Sequence, residues 1–110
     1  MAALQAYWGL TVSVADTEGA KNIWAACAAI DPSVPTHAQS VQIQASDDNG
    51  AHPIAIGDLH VSAARCGIRL LLHDGQPEKH PVASGLPWVE MYMFSPDAGA
   101  TVKLNVEIWL

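Results

Sequence analysis

Apolar and polar residues alternate from Tyr7 to Ala15, with Trp8, Leu10, Val12 and Val14 on one side and Tyr7, Gly9, Thr11 and Ser13 on the other. A period of two is that of a strand with one buried face. Thr101 to Trp109 repeats it: Val102, Leu104, Val106 and Ile108 point inward, while Thr101, Lys103, Asn105, Glu107 and Trp109 point outward. Between them lies Val41 to Leu72, the stretch around which the rest of the chain is arranged. Val41 and Ile43 alternate with Gln42 and Gln44, and Ser46-Asp47-Asp48-Asn49-Gly50 then interrupts with turn formers. His52 to Ile56 resumes the apolar pattern, so strand, tight turn and strand predict a β-hairpin. Gly57-Asp58 ends that strand, and Ile68 to Leu72 starts the next.

The period changes over Ala20 to Ile30, where Ile23, Cys27 and Ile30 fall at i, i+4 and i+7. Alanines favour a helix in this run, and Asp31-Pro32 stops it. A strand from Asn22 to Ala26 is the competing reading. Pro87 to Phe94 is apolar at nearly every position, which predicts a strand buried on both faces, one of them against another subunit. Across the Ser95–Ala100 turn it is expected to pair with Thr101–Trp109 as a second hairpin. The sum is a mainly β fold: a small antiparallel β-sandwich or barrel of about six to eight strands, with one short helix near residues 20–30.

A length of 110 residues makes this a single domain, residues 1–110, able to bury roughly 65% of its unfolded surface. Residues 1–6 are a candidate N-terminal arm. Residues 73–86, with two prolines and two glycines, read as a long loop. Only 15% of residues are charged, against a usual ~25%. That deficit points to surface covered by other subunits, and so to a homo-oligomer; a neutral, alanine-rich surface is the alternative. The net charge of −6, with five Lys and Arg in all, excludes the clustered cations that a phosphate backbone requires, so no direct nucleic-acid binding is expected. No basic leader precedes an apolar run, and no stretch reaches the ~20 apolar residues of a membrane span. The chain is expected to be made as a soluble protein of the cytoplasm.

The candidate chemistry is sparse. None of His37, His52, His60, His73 and His80 forms an HxH or HxxxH pair; His52 and His60, flanking one strand pair, are the best placed to meet at a metal. Asp47-Asp48-Asn49-Gly50 lacks the alternating ligands and distal Glu of a calcium loop. No serine sits in a GxSxG elbow. Cys66 beside Arg65 could have a lowered thiol pKa, but Cys27 and Cys66 read more simply as two small buried thiols. Glu90, on an apolar strand, is expected to face water or bond a neighbouring strand. No acid–base pair emerges, so no enzyme, cofactor or metal is expected.

Four tryptophans stand out in so small a chain. Trp8 and Trp24 fit the core. Trp88 and Trp109 are candidate interface anchors, because exposed aromatics stack on sugars or anchor protein contacts. Packing against the helix is the alternative for Trp109. In the polar 73–86 segment, Glu78, Lys79 and His80 are candidate partner-contacting residues.

The order of elements resembles the small β-sandwich virion proteins encoded by tailed bacteriophages and prophages. The matching positions are Ile43-Gln44-Ala45, Asn49, Ile56-Gly57-Asp58, Val61-Ser62 and Gly67, covering about a third of the chain; the coarse strand order extends the likeness further. These are turn and core positions, and no catalytic set comes with them. The resemblance implies a virion subunit that contacts the major capsid protein or other virion proteins. Capsid decoration (cement) is its first implication, and a neck, tail or baseplate accessory its second. A carbohydrate-binding sandwich is the alternative from another class.

Overall fold

The two nine-residue alternating segments pair with each other. In the computed structural model, which describes residues 7–38, 40–62, 68–70, 72–73, 76–77, 79–81 and 88–109, β1 (Tyr7–Ala15) runs antiparallel to the last strand along its whole length, from Tyr7 opposite Trp109 to Ala15 opposite Thr101. The strands between them are β2 (Lys21–Asn22), β3 (Ser40–Ala45), β4 (Ile54–Gly57), β5 (Ile68–Leu70), β6 (Leu72–His73), β7 (Gln76–Pro77), β8 (Lys79–Pro81) and β9 (Tyr92–Phe94), and β10 is Thr101–Trp109. Among the described residues, one sheet has the order β1-β10-β3-β8 and a second the order β2-β9-β4-β5, while β6 and β7 form a two-stranded ribbon. Every pairing is antiparallel. This is the expected mainly β, sandwich-like class.

One core joins the two sheets. Val12 and Val14 of β1, the row Val102–Leu104–Val106–Ile108 of β10, and Val41, Ile43 and Ala45 of β3 face Ile54 and Ile56 of β4 and Met93 of β9. Each large aliphatic side chain in that layer contributes about 1.5–3 kcal/mol by leaving water. Helix α1 (Ile23–Ile30) closes one side with Ile23 and Cys27. Asn22 caps it, its Oδ1 accepting from the Ala25 N–H at 2.8 Å, which satisfies one of the free donors of the first turn. The third residue of the predicted helical stripe, Ile30, is 56% exposed, because the helix ends there. Asn22 thus ends a two-residue strand and starts a helix; the helix reading held, while the competing strand over Asn22–Ala26 did not, since Ile23 to Ala26 are helical.

Several expected pairings differ. β3 and β4 do not form a hairpin: β3 lies between β10 and β8, and β4 lies in the other sheet. The Asp47–Asn49 segment is a 3-10 turn that carries the chain across the core. The side chain of Asn49 bonds β10 there instead of turning the chain back: its Nδ2 donates to Lys103 O at 2.8 Å, and its Oδ1 accepts from Lys103 N–H at 2.7 Å. Nor do β9 and β10 form a hairpin, since they too belong to different sheets. Asp16 holds the connection between them. Its N–H donates to Ala100 O at 3.1 Å, and its Oδ2 accepts from Gly99 N–H at 2.7 Å, where Gly99 has φ +78°, a conformation that favours glycine. The apolar run Pro87–Phe94 is not one strand. Trp88–Glu90 is a 3-10 turn, followed by β9, and its apolarity reflects burial of Trp88, Met91 and Met93 in the same core. Finally, the 73–86 segment expected as a loop contains part of β6 and all of β7 and β8.

Candidate functional site

The outward rows of β1 and β10 build one surface. Register puts Tyr7 opposite Trp109, so the two aromatic side chains meet on the outer face, ring centroids 5.2 Å apart and planes tilted by 52°. Tilted pairs of this kind add about 0.5–1.5 kcal/mol to their burial. The Tyr7 hydroxyl donates to Glu107 Oε2 at 3.2 Å, and Glu107 stands opposite Gly9. The tyrosine ring therefore leans over Gly9, where an added Cβ would lie 2.8 Å from the Tyr7 hydroxyl oxygen. Only glycine leaves that space. Further along, Thr11 Oγ1 donates to Asn105 Oδ1 at 2.8 Å. Gln42 and Gln44 continue the row on β3, in register with Glu107 and Asn105. The result is a polar face of low charge with an aromatic pair at one end.

The free edge of β1 is a second feature. Lys103 directs its N–H and C=O to Asn49 and Ser46, on the β3 side, so its partner Ser13 turns its own backbone groups away from β10. Two side chains hold this end of the edge. Lys21 Nζ donates to Ser13 O at 2.9 Å, and the Ala15 N–H donates to Glu18 Oε1 at 2.8 Å. Lys21 and Glu18 themselves pair at 3.0 Å. The Ala15 N–H, and then Lys21, hold the Glu18 carboxyl below the usual range. Beside this edge runs an open groove of about 390 Å³, with Thr11, Val12 and Ser13 on one wall and Ala25, Ala26, Ala29 and Ile30 of α1 on the other.

The sequence-predicted interface residues separate. Trp109 stands on the outer face, half-buried, and its neighbour is Tyr7 rather than the helix. Trp88 is only 6% exposed and belongs to the core, which corrects its assignment as a surface anchor: the turn at Trp88–Glu90 swings it inward, while Glu90 is exposed. Its indole Nε1 and that of Trp24 are buried and have no hydrogen-bond partner among the described residues. Trp8 and Trp24 pack partly buried against the core, and Trp8 Nε1 donates to Ser33 Oγ at 3.0 Å. Lys79 and His80 lie on β8, in register with Gln44 and Ile43 of β3. Glu78 lies outside the described residues, as do the N-terminal arm 1–6 and Cys66.

His52 and His60 each have an aspartate partner of their own. His52 Nδ1 lies 2.7 Å from Asp97 Oδ2, and the His60 N–H donates to Asp58 Oδ1. Among the described residues, no three His, Cys, Asp or Glu side chains cluster as metal ligands, and no helix is long and apolar enough to cross a membrane. Cys27 is a free, fully buried thiol, and burial pushes its pKa up to about 11, far from a nucleophile's range.

Tyr7, Glu18, Lys21 and Asn49 carry more of the surface and its edges than sequence reading gave them. Tyr7 is visible only once its strand is known to pair with Trp109. Glu18 and Lys21 give a weak signal, an i, i+3 charge pair directly after a strand. With this geometry in view, a scan against family models finds no match, and searches of curated proteins and of solved structures return none.

Proposed function

We propose that this chain is a non-enzymatic structural component of a tailed-phage particle, a capsid decoration protein that stabilises the shell through protein–protein contacts. The observation that carries the reading is the outer face of the first sheet, where the Tyr7–Trp109 pair sits at the end of a row of polar side chains in which Glu107 and Lys103 are the charged members on β1 and β10. Low charge with a rigid aromatic anchor is the composition of a protein interface core. The resemblance supplies the setting. Its positions Ile43-Gln44-Ala45 lie in β3, Ile56-Gly57 close β4, and Asn49 pins Lys103, so the shared residues serve the framework. On this reading the protein contacts the major capsid protein, or other virion proteins, as a homo-oligomer. Many weakly held copies reinforce one another when engaged together.

The test is co-sedimentation of the purified protein with tailed-phage capsid shells, with Trp109→Ala alongside. Wild-type protein that pellets with shells, and a folded Trp109→Ala that does so at least tenfold more weakly, is the expected result. Protein that stays in the supernatant at saturating shell concentration sinks the shell assignment; binding to isolated tails instead would move it to a neck or tail position. A carbohydrate-binding sandwich is the alternative from another class, and sugar affinity abolished by Trp109→Ala would favour it.

A further inference from the structure

We infer that the free edge of β1 joins two copies of this chain, β1 to β1 and antiparallel, into a continuous sheet across a two-fold axis at Leu10. This stands on the geometry of the edge alone, whether or not the chain belongs to a virus particle. Among the described residues β1 pairs on one side only, with β10. The alternation set by Ser13 and Lys103 sends the N–H and C=O of Thr11 and Gly9 outward too. At the Ser13–Ala15 end two of the outward groups are occupied, Ser13 O by Lys21 and the Ala15 N–H by Glu18. At Gly9 and Thr11 they are open among the described residues, and both residues are exposed.

Open backbone groups specify what covers them. An extended strand is the one structure that satisfies a row of alternating donors and acceptors. A second β1 fits the open groups of Gly9 and Thr11. With the axis at Leu10, Gly9 of each copy stands opposite Thr11 of the other, and each such pair exchanges two hydrogen bonds, so both open N–H and both open C=O groups of each chain are used. Pairing ends where Lys21 and Glu18 already hold the edge. Electrostatics agree: a chain of net charge −6 repels its copy over most approaches, yet Tyr7 to Ser13 contains no acidic or basic residue. Packing agrees as well, because the inward row of β1 is fully covered at Val12 and Val14 but only partly at Trp8 and Leu10. The groove beside α1 leaves this edge open to approach.

The experiment is sedimentation velocity across a concentration series, with amide hydrogen exchange on the wild-type protein and the variants Thr11→Ala and Thr11→Pro. Both variants lose the hydroxyl bond to Asn105; only proline also removes the outward N–H, which β10 does not use. We expect a dimer for wild type and Thr11→Ala, and half that mass for Thr11→Pro with an unchanged far-UV spectrum. On wild-type protein, which removes any doubt about folding of the variant, the Gly9 and Thr11 amides gain at least tenfold protection as concentration rises. Amides that exchange as open groups at every concentration overturn the inference. So does a dimer that survives Thr11→Pro, or a monomer that instead captures another protein's extended segment at this edge.

Discussion

Asn49 grips the backbone of Lys103 at both of its polar groups, donating to the carbonyl at 2.8 Å and accepting from the N–H at 2.7 Å. A buried side chain, 4% exposed, thereby extends the β3–β10 ladder past the end of β3. The Ser46 N–H adds a second bond to the same carbonyl at 3.1 Å. Asn49→Ala leaves the Lys103 N–H without its acceptor, and a buried polar group so stranded costs about 1–3 kcal/mol. Chemical denaturation should show a loss of about 2–3 kcal/mol with unchanged slope. Asn49→Asp should cost at least as much at neutral pH, because a carboxylate cannot donate to the Lys103 carbonyl. A loss under about 0.5 kcal/mol in both would mean that the amide is incidental.

That contact also shows where sequence reading stops. Alternation in β1 and β10 identified both inward rows correctly, since side-chain direction in a strand is local. Which strand lies beside which is not local. Asn49-Gly50 has the chemistry of a hairpin turn, and Gly50 does adopt φ +58°, but Asn49 spends its amide on Lys103, 54 residues away in sequence, and the chain crosses to the other sheet. Likewise Trp88 looked like a surface anchor because an unbroken apolar run does not reveal that its first part is a turn into the core. Trp109 was legible as outward-facing by parity alone; that Tyr7 is its neighbour required the pairing of the first and last strands.

Trp88 and Trp109 should respond oppositely to truncation. Trp88 lies in the core, so Trp88→Ala opens a cavity and should cost about 3–5 kcal/mol in denaturant titration. Trp109 is half-buried on the outer face, so Trp109→Ala should cost about 1–2 kcal/mol, mostly the lost ring pair, while weakening attachment to shells. If Trp109→Ala proved the more destabilising of the two, Trp109 would belong to the framework and could not anchor an interface.

Cys27 should be chemically silent until the protein unfolds. Its thiol is fully buried, and burial favours the neutral form, raising the pKa from an ordinary 9 to about 11. The folded state then holds its proton where the unfolded state releases it. Stability from this group is complete below pH 9 and falls as pH rises through about 11, by roughly 2–3 kcal/mol if no other group compensates. Thiol-reagent labelling of native protein at pH 8 should therefore track the rate of unfolding and accelerate with denaturant. Rapid stoichiometric labelling of Cys27 without unfolding would show the site to be open. The alkaline loss should vanish in Cys27→Ala, measured against that variant's own baseline at pH 8.

Lys21 should matter more for association than for stability. It donates to Ser13 O and pairs with Glu18, but the pair is partly exposed, so Lys21→Met should change folding stability by about 1 kcal/mol or less. What it removes is the block at that end of the β1 edge. With Ser13 O open, one further acceptor joins the row at Gly9 and Thr11, and strand-to-strand association should tighten several-fold in sedimentation, ahead of visible aggregation on standing. Acid should act in the same direction. Because the Glu18 carboxyl is held low by the Ala15 N–H and Lys21, its grip is complete above the ordinary glutamate range and is lost as pH falls through the lowered value. Protonation would free the Ala15 N–H and uncouple Lys21. Lys21→Arg, which keeps a donor for Ser13 O, should behave as wild type. Should Lys21→Met leave the mass distribution unchanged at every concentration, the lysine would be a brace for the turn and not a guard on the edge.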